Sequence, residues 1–342
     1  MIPALLSLQD CADYTKTVQP FLPQLYALPQ VLMNNGADLA GLKGIYIETN
    51  PLVTGFSVSV LLGAIFLAVS ELNRNYSQVD RMWSILPNLY VIHFAVWARL
   101  AGFAHHRLDL VAIATTIWSA RLTFNYWRKG GYNIGSEDYR WCIIMKQVPK
   151  PVFFLFNVTF ISFIQSILLF AFSAAPAYGI LLASRFEPEI TAADWMYFYI
   201  ELGLVLSEWI SDGQQWDYQT AKHEYLKTAK VPKGWFQDEL DRGFITSGLW
   251  AYSRHPNFFA EQAICWAGAG SLALFALFQG STWLTELISA GKYPEYKDYQ
   301  KQVGMFFPTS IKGYKPVPVK TPKVIRTSEL AKRQEEKEQQ KN

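Results

Sequence analysis

The residues best suited to chemistry in this chain are polar groups set against apolar runs. The densest set is GLWAYSRHPNFFAEQAICW, residues 248–266. Pro256 suits the first turn of a helix, with His255 just before it, and Asn257 and Glu261 then share one helical face at i, i+4. Glu261 opens a long apolar run, where a carboxylate is costly without a partner and marks a functional site by default. Arg254 and the helix N-terminus both favour an anion. The bland alternative has Arg254 snorkelling and Glu261 pairing with a nearby lysine. A second set, in EWISDGQQWDYQTAKHE, places Asp212, Gln215, Trp216 and Gln219 on one face, to which His223 returns. Such groups can hydrogen-bond a ribose or carboxamide and stack on a ring, or simply form a solvated membrane-exit helix.

Two further sets are less specific. Arg121, Asn125 and Arg128 fall at i, i+4 and i+7 in RLTFNYWRKGG, either as a phosphate grip or as ordinary positively charged anchoring. Glu137, Asp138 and Arg140 follow as a polar knot that a local salt bridge would explain. In GKYPEYKDYQKQVGMFFP, Tyr293, Tyr296 and Tyr299 recur every third residue, as in a short amphipathic helix over a bundle mouth or at an interface. Lys222, Arg121, Arg128 and Arg254 are the cations available for phosphates, because no G-x-G-x-x-G follows a strand and opens a helix.

These groups must be positioned by an unusually apolar chain. Of 342 residues, 51% are hydrophobic and 17% charged, below the ~25% charge of a soluble domain. The net charge of +3 is too small for a nucleic-acid binder. Cys11, Cys142 and Cys265 are scattered, with neither metal-ligand spacing nor a disulfide framework, so no metal is expected. The spacing predicts an all-α polytopic membrane bundle of six or seven helices. Expected spans are Pro51–Ser70, Met82–Ala98 with a kink at Pro87, a short Leu110–Ala120, Pro151–Ser184 with an irregular tail beyond Pro176, Trp195–Ser207 around Glu201, and Gln262–Thr285. The last reads as one span, two short helices or a re-entrant pair. Trp83, Trp118, Trp127, Trp195, Trp209 and Trp283 lie near the ends, as an interfacial belt would.

Residues 1–50 hold two Lys/Arg, 121–150 and 208–256 six each, and 286–342 twelve. That bias places residues 1–50 outside the cytosol and the other three segments inside. No signal peptide is expected: residues 1–50 lack a positive start followed by an apolar core, Pro20, Pro23 and Pro29 break any long helix, and the first span serves as an uncleaved anchor. The membrane domain is expected over 51–311. Residues 312–342, with nine Lys/Arg and four acids, read as a basic, disordered cytosolic tail or a segment drawn to anionic headgroups.

GLWAYSRHPNFFAEQ, followed by YPEYKDYQKQ…FFP, resembles the C-terminal domain of the steroid 5α-reductase family. SQVDRMW, RLTFNYWR…EDYRW and SDGQQW extend the resemblance, to its uncharacterised branch, over roughly residues 55–312. It implies a seven-helix membrane fold with a cytosolic C-terminus, an endoplasmic-reticulum home, and NADPH-dependent reduction of a carbon–carbon double bond in a lipid or sterol-like substrate drawn from the bilayer. By motif it carries cofactor contact to Asp212, Gln215, Tyr252, Arg254, His255, Asn257, Glu261, Tyr293 and Tyr296, with Arg121, Asn125 and Arg128 as weaker additions. The early-helix Glu and Tyr of steroid-reducing members have no aligned pair here. Asp80 is the nearest acidic candidate, and Tyr126 and Tyr90 are candidate proton donors. Isoprenylcysteine and phospholipid methyltransferases, which use S-adenosylmethionine, also carry an Arg-His-Pro string with a downstream Glu. Asn257 and the tyrosine-rich segment favour the reductase. A non-enzymatic lipid-binding protein is the third reading. The oligomeric state is left open.

Overall fold

In a computed structural model, residues 2–264, 270–308 and 312–316 are described, with side chains except over 270–277. Among them every regular element is helical; the only β-type pairing is an isolated bridge between Ser253 and Gly304. In chain order the α-helices are α1 Tyr14–Thr17, α2 Leu22–Asn35, α3 Leu39–Glu48, α4 Pro51–Asn73, α5 Gln78–Met82, α6 Leu86–Leu100, α7 His106–Arg128, α8 Tyr139–Gln147, α9 Lys150–Phe156, α10 Gln165–Ala183, α11 Ala192–Thr228, α12 Gln237–Arg242, α13 Pro256–Ile264, α14 Gly270–Lys292 and α15 Tyr296–Gln302. A π-helical stretch, Asn157–Ile164, joins α9 to α10. The chain divides into two compact units, Met1–Gly203 with Cys265–Leu274, and Leu204–Ile264 with Phe275–Asn342.

In the first unit α6 packs on α7 and α10, and α10 on α4. Phe94, Trp97, Leu108, Leu169, Leu181 and Leu182 form the buried centre. Asn50 caps α4 by accepting from Leu52 N at 2.9 Å, and Pro51 then costs nothing in the first turn. Asn50 also donates to Tyr178 Oη at 3.0 Å, fixing the start of α4 to α10. The π stretch begins at fully buried Asn157, whose amide donates to Ser70 Oγ at 3.0 Å and Glu71 Oε1 at 2.9 Å on α4.

Among the described residues, two helical runs are long and apolar enough to cross a membrane, Pro51–Asn73 and Lys150–Ala183. On α4, Val58, Leu61, Ile65, Val69 and Leu72 make an exposed apolar stripe at helical spacing, a surface suited to lipid or to a partner. The other expected spans are helical but shorter or more polar: α6 has 15 residues, and α7 carries Arg107, Asp109, Arg121 and Arg128. Several sequence expectations are corrected. Pro87 sits in the first turn of α6 and kinks nothing. The run expected to fray beyond Pro176 stays helical to Ala183, because a proline removes a single hydrogen bond from a long packed helix. Pro23 starts α2 and Pro29 lies inside it, so the N-terminal segment is helical too. Trp118 is buried rather than interfacial. The region 257–285 comprises α13 and α14, with 265–269 outside the described residues; the tail beyond 316 also lies outside them.

In the second unit the latter half of α11 meets α12, where Tyr218 Oη donates to Glu239 O at 3.0 Å, and α13 through Asn257 and Asp212. Tyr218, Tyr225, Leu240, Ile245 and Trp250 form one buried cluster; Phe244, Tyr296, Tyr299, Val303 and Tyr314 form another. Gly243 ends α12 at φ +88°, where a Cβ would meet the Tyr293 ring at 2.3 Å. Glycine is therefore required there on both counts.

Candidate functional site

The second unit gathers most of the expected site residues, though not all in the expected roles. Arg254 and His255 lie beside the chain entering the terminal FFP, with Arg254 N donating to Gly304 O and His255 N to Met305 O, each at 3.0 Å. The Arg254 side chain is buried and grips Glu286 of α14: Nε donates to Oε1 at 2.7 Å and Nη2 to Oε2 at 3.1 Å. Its Nη1 donates to Gln300 O at 2.8 Å and Val303 O at 2.9 Å. His255 Nε2 lies 3.0 Å from Glu286 Oε1, and Gln300 donates to Oε2 at 2.9 Å. Arg254 thus clamps the C-terminal turn instead of snorkelling. As a phosphate cation it would first have to leave Glu286.

The start of α13 also meets α11, a contact that neither sequence segment announced. Asn257 Nδ2 on α13 donates to Asp212 Oδ1 on α11 at 3.2 Å, with Asp212 buried. Asn257 Oδ1 in turn accepts from Phe258 N at 3.0 Å. Gln215, one turn along from Asp212, has a buried Oε1 with no hydrogen-bond partner among the described residues. Its neighbour Gln214 is structural: Oε1 accepts from Leu249 N at 2.9 Å, directly under Gly248, whose Cβ position it fills. Glu261, one turn beyond Asn257, is partly exposed, and Tyr252 is exposed. Lys222 Nζ donates to Tyr293 Oη at 2.8 Å and to Gly243 O at 2.6 Å. Burial pushes the Tyr293 phenol up, but the hydrogen bond and charge of Lys222 outweigh it and hold the phenol below the usual tyrosine value. Tyr296 and Tyr299 are buried against Phe244, so the every-third-residue tyrosines build a core rather than an interfacial helix face.

The remaining expected residues belong to the first unit. Arg121 and Asn125 are buried on α7, and Arg128 Nε donates to Asn125 Oδ1 at 2.9 Å, so the expected common face exists. The 75–82 and 135–141 segments dock on one another. Asp80 Oδ2 accepts from Trp141 Nε1 at 2.7 Å, Asp138 N donates to Ser77 Oγ at 2.8 Å, and Arg81 Nη2 donates to Ser136 O at 2.6 Å. The Arg140–Asp138 salt bridge is present at 2.7 Å, but inside this larger junction. Burial raises the Asp80 carboxyl above the usual carboxylate value, against the lowering hydrogen bonds from Trp141 and Ser77. Tyr126 packs on Tyr132 and against Gly131, where any Cβ would meet its ring at 2.3 Å. Tyr90 is buried, and its hydroxyl lacks a hydrogen-bond partner among the described residues.

Glu286, Gln300, Gln214 and Trp141 were not singled out by sequence. Glu286 offered one signal: it is the first charge after the uncharged run 262–285.

With this geometry in place, comparison assigns the chain to a family. Residues 66–290 match the family described as "Protein of unknown function (DUF1295)", and the chain belongs to that family. It is also similar to an uncharacterized protein, C594.04c, of Schizosaccharomyces pombe (strain 972), with 39% identity over 325 residues, covering 90% of this chain and 93% of that one. No solved structure matches.

Proposed function

We propose that this chain is an integral membrane oxidoreductase of the steroid 5α-reductase-like type, reducing a carbon–carbon double bond of a lipid or sterol-like substrate with NADPH. The observation that carries the reading is the contact of Asn257 with buried Asp212, beside a Gln215 oxygen on the same face of α11 that has no hydrogen-bond partner among the described residues. A buried orphan acceptor costs free energy unless a ligand donor satisfies it. A carboxylate, an amide and an orphan carbonyl oxygen suit the hydroxyls and carboxamide of a nicotinamide nucleotide. NADPH, when bound, supplies the hydride.

The chain's own groups would do the rest. Asp212, Gln215, Asn257 and Glu261 would hold and orient the nucleotide, while the Arg254–Glu286–His255 clamp fixes the start of α13. Lys222 and Tyr293 are further polar contacts, and Arg121, Asn125 and Arg128 a second cationic face. Tyr90, whose buried hydroxyl has no hydrogen-bond partner among the described residues, is one proposed proton donor; Tyr126 and Asp80 are the others. In this reading α6, α7, α11 and α14 complete a six- or seven-span bundle with its C-terminus in the cytosol, in the endoplasmic reticulum.

The test is thermal unfolding of the detergent-solubilised chain with added nucleotide. NADPH at 100 times its Kd should stabilise it by about 2.7 kcal/mol, and Asn257→Ala should weaken that response. Stabilisation by S-adenosylhomocysteine alone would replace this reading with a methyltransferase, and stabilisation by neither would point to a non-enzymatic lipid-binding protein.

A further inference from the structure

The turn between α6 and α7 carries a cluster unrelated to the groups above. His105, His106 and Asp109 each bring one ligand atom to within 4.8 Å of the others. His105 precedes the first residue of α7 and Asp109 lies one turn on, so H-H-x-x-D puts two imidazoles and a carboxylate at one corner. The His rings lie 4.6 Å apart between centroids, and His105 Nδ1 is 2.7 Å from Asp109 Oδ2. His106 is exposed and makes no hydrogen bond among the described residues.

We propose that His105, His106 and Asp109 form a surface site for a divalent cation of the zinc or copper type. Imidazole and carboxylate are the donors such ions select. Bonds of about 2.0–2.2 Å to a tetrahedral zinc require the three atoms to draw closer than 4.8 Å. His106, exposed and without a hydrogen bond among the described residues, is the ligand with most freedom to turn toward the ion. Two neighbouring arginines decide the affinity. Arg107 is turned away, onto Asp194 at 2.8 Å and Glu187 at 3.5 Å. Arg99 donates to Asp109 Oδ2 at 2.7 Å and would have to release it, and its side chain, 55% exposed, can be rehydrated as it leaves. The N-terminal end of α7 also disfavours a cation. Both effects make the site moderate in affinity, with water completing the coordination.

This inference does not rest on the reductase reading. The full chain, purified in detergent without a histidine tag and stripped with chelator, is titrated with Zn2+ against a chromophoric chelator. One zinc per chain is expected. The His105→Asn/His106→Asn pair should weaken binding by at least about tenfold at unchanged Tm, leaving His93, His223 and His255 in place. Arg99→Gln should move the other way and tighten it, because a competitor for Asp109 is gone. Cu2+ in the same site should show nitrogen coupling in its electron paramagnetic resonance spectrum that the histidine pair variant loses. Absent zinc binding, equal affinity in the histidine variant, or no gain from Arg99→Gln would overturn the proposed donor set.

Discussion

Glu286 holds two buried cationic or potentially cationic neighbours at once, and its removal isolates both. Glu286→Gln keeps the shape but leaves the Arg254 guanidinium charged and unpaired in a buried setting. Breaking such a pair typically costs about 3–5 kcal/mol, so thermal unfolding in detergent should show a clearly lower Tm. Asp80 gives the opposite sign. Its folded pKa is raised, so its contribution to stability is complete below the unfolded value, ~3.9, and is lost as pH rises through the folded value. Asp80→Asn keeps an acceptor for Trp141 and escapes that loss. Its Tm should match the wild type in acid and exceed it at neutral pH, by about 2–4 °C per kcal/mol. Sequence made Asp212 and Asn257 legible because helical spacing and an apolar context expose polar groups that need a reason. It could not assign Arg254 its partner, since Glu286 lies 32 residues away and nothing local pairs them. It did set Gln215 on the Asp212 face of α11 and Gln214 off it, but nothing local showed that Gln214 would accept from Leu249 N, 35 residues on.

At the scale of elements, apolar run length located α4 and the Lys150–Ala183 helix well, because nothing but a helix satisfies the backbone of such a run. It failed at prolines, where burial and neighbouring turns decide whether a helix continues. It also missed the π stretch, which depends on Asn157 reaching α4 rather than on any local propensity. That stretch has a partner on α4: a Cβ on Gly63 would come within 3.1 Å of Ser162 O and of the Phe163 ring. The carbonyl belongs to the backbone and cannot swing aside. Gly63→Val should therefore part α4 from the π stretch and cost about 1–3 kcal/mol, read as a lower Tm. Gly44→Ala, inside α3 where a Cβ meets nothing within 4 Å, is the control and should hold the Tm or raise it slightly, since alanine suits a helix better than glycine.

For the molecule as a whole, the Lys/Arg bias is the ground for the proposed topology, which puts the C-terminus in the cytosol. An epitope fused there should be digested by protease added to sealed microsomes; protection until detergent is added would invert the topology. Where such a fusion begins matters. Tyr314 N donates to Ala251 O at 2.8 Å and its ring packs on Tyr299, while Arg254 holds the carbonyls of Gln300 and Val303. Tyr314 and the Gln300–Val303 turn are therefore each fastened to the segment before α13, and a reporter or purification handle joined before Gln300 would strip the guanidinium of its acceptors. A handle joined after Lys315 leaves both fastenings in place.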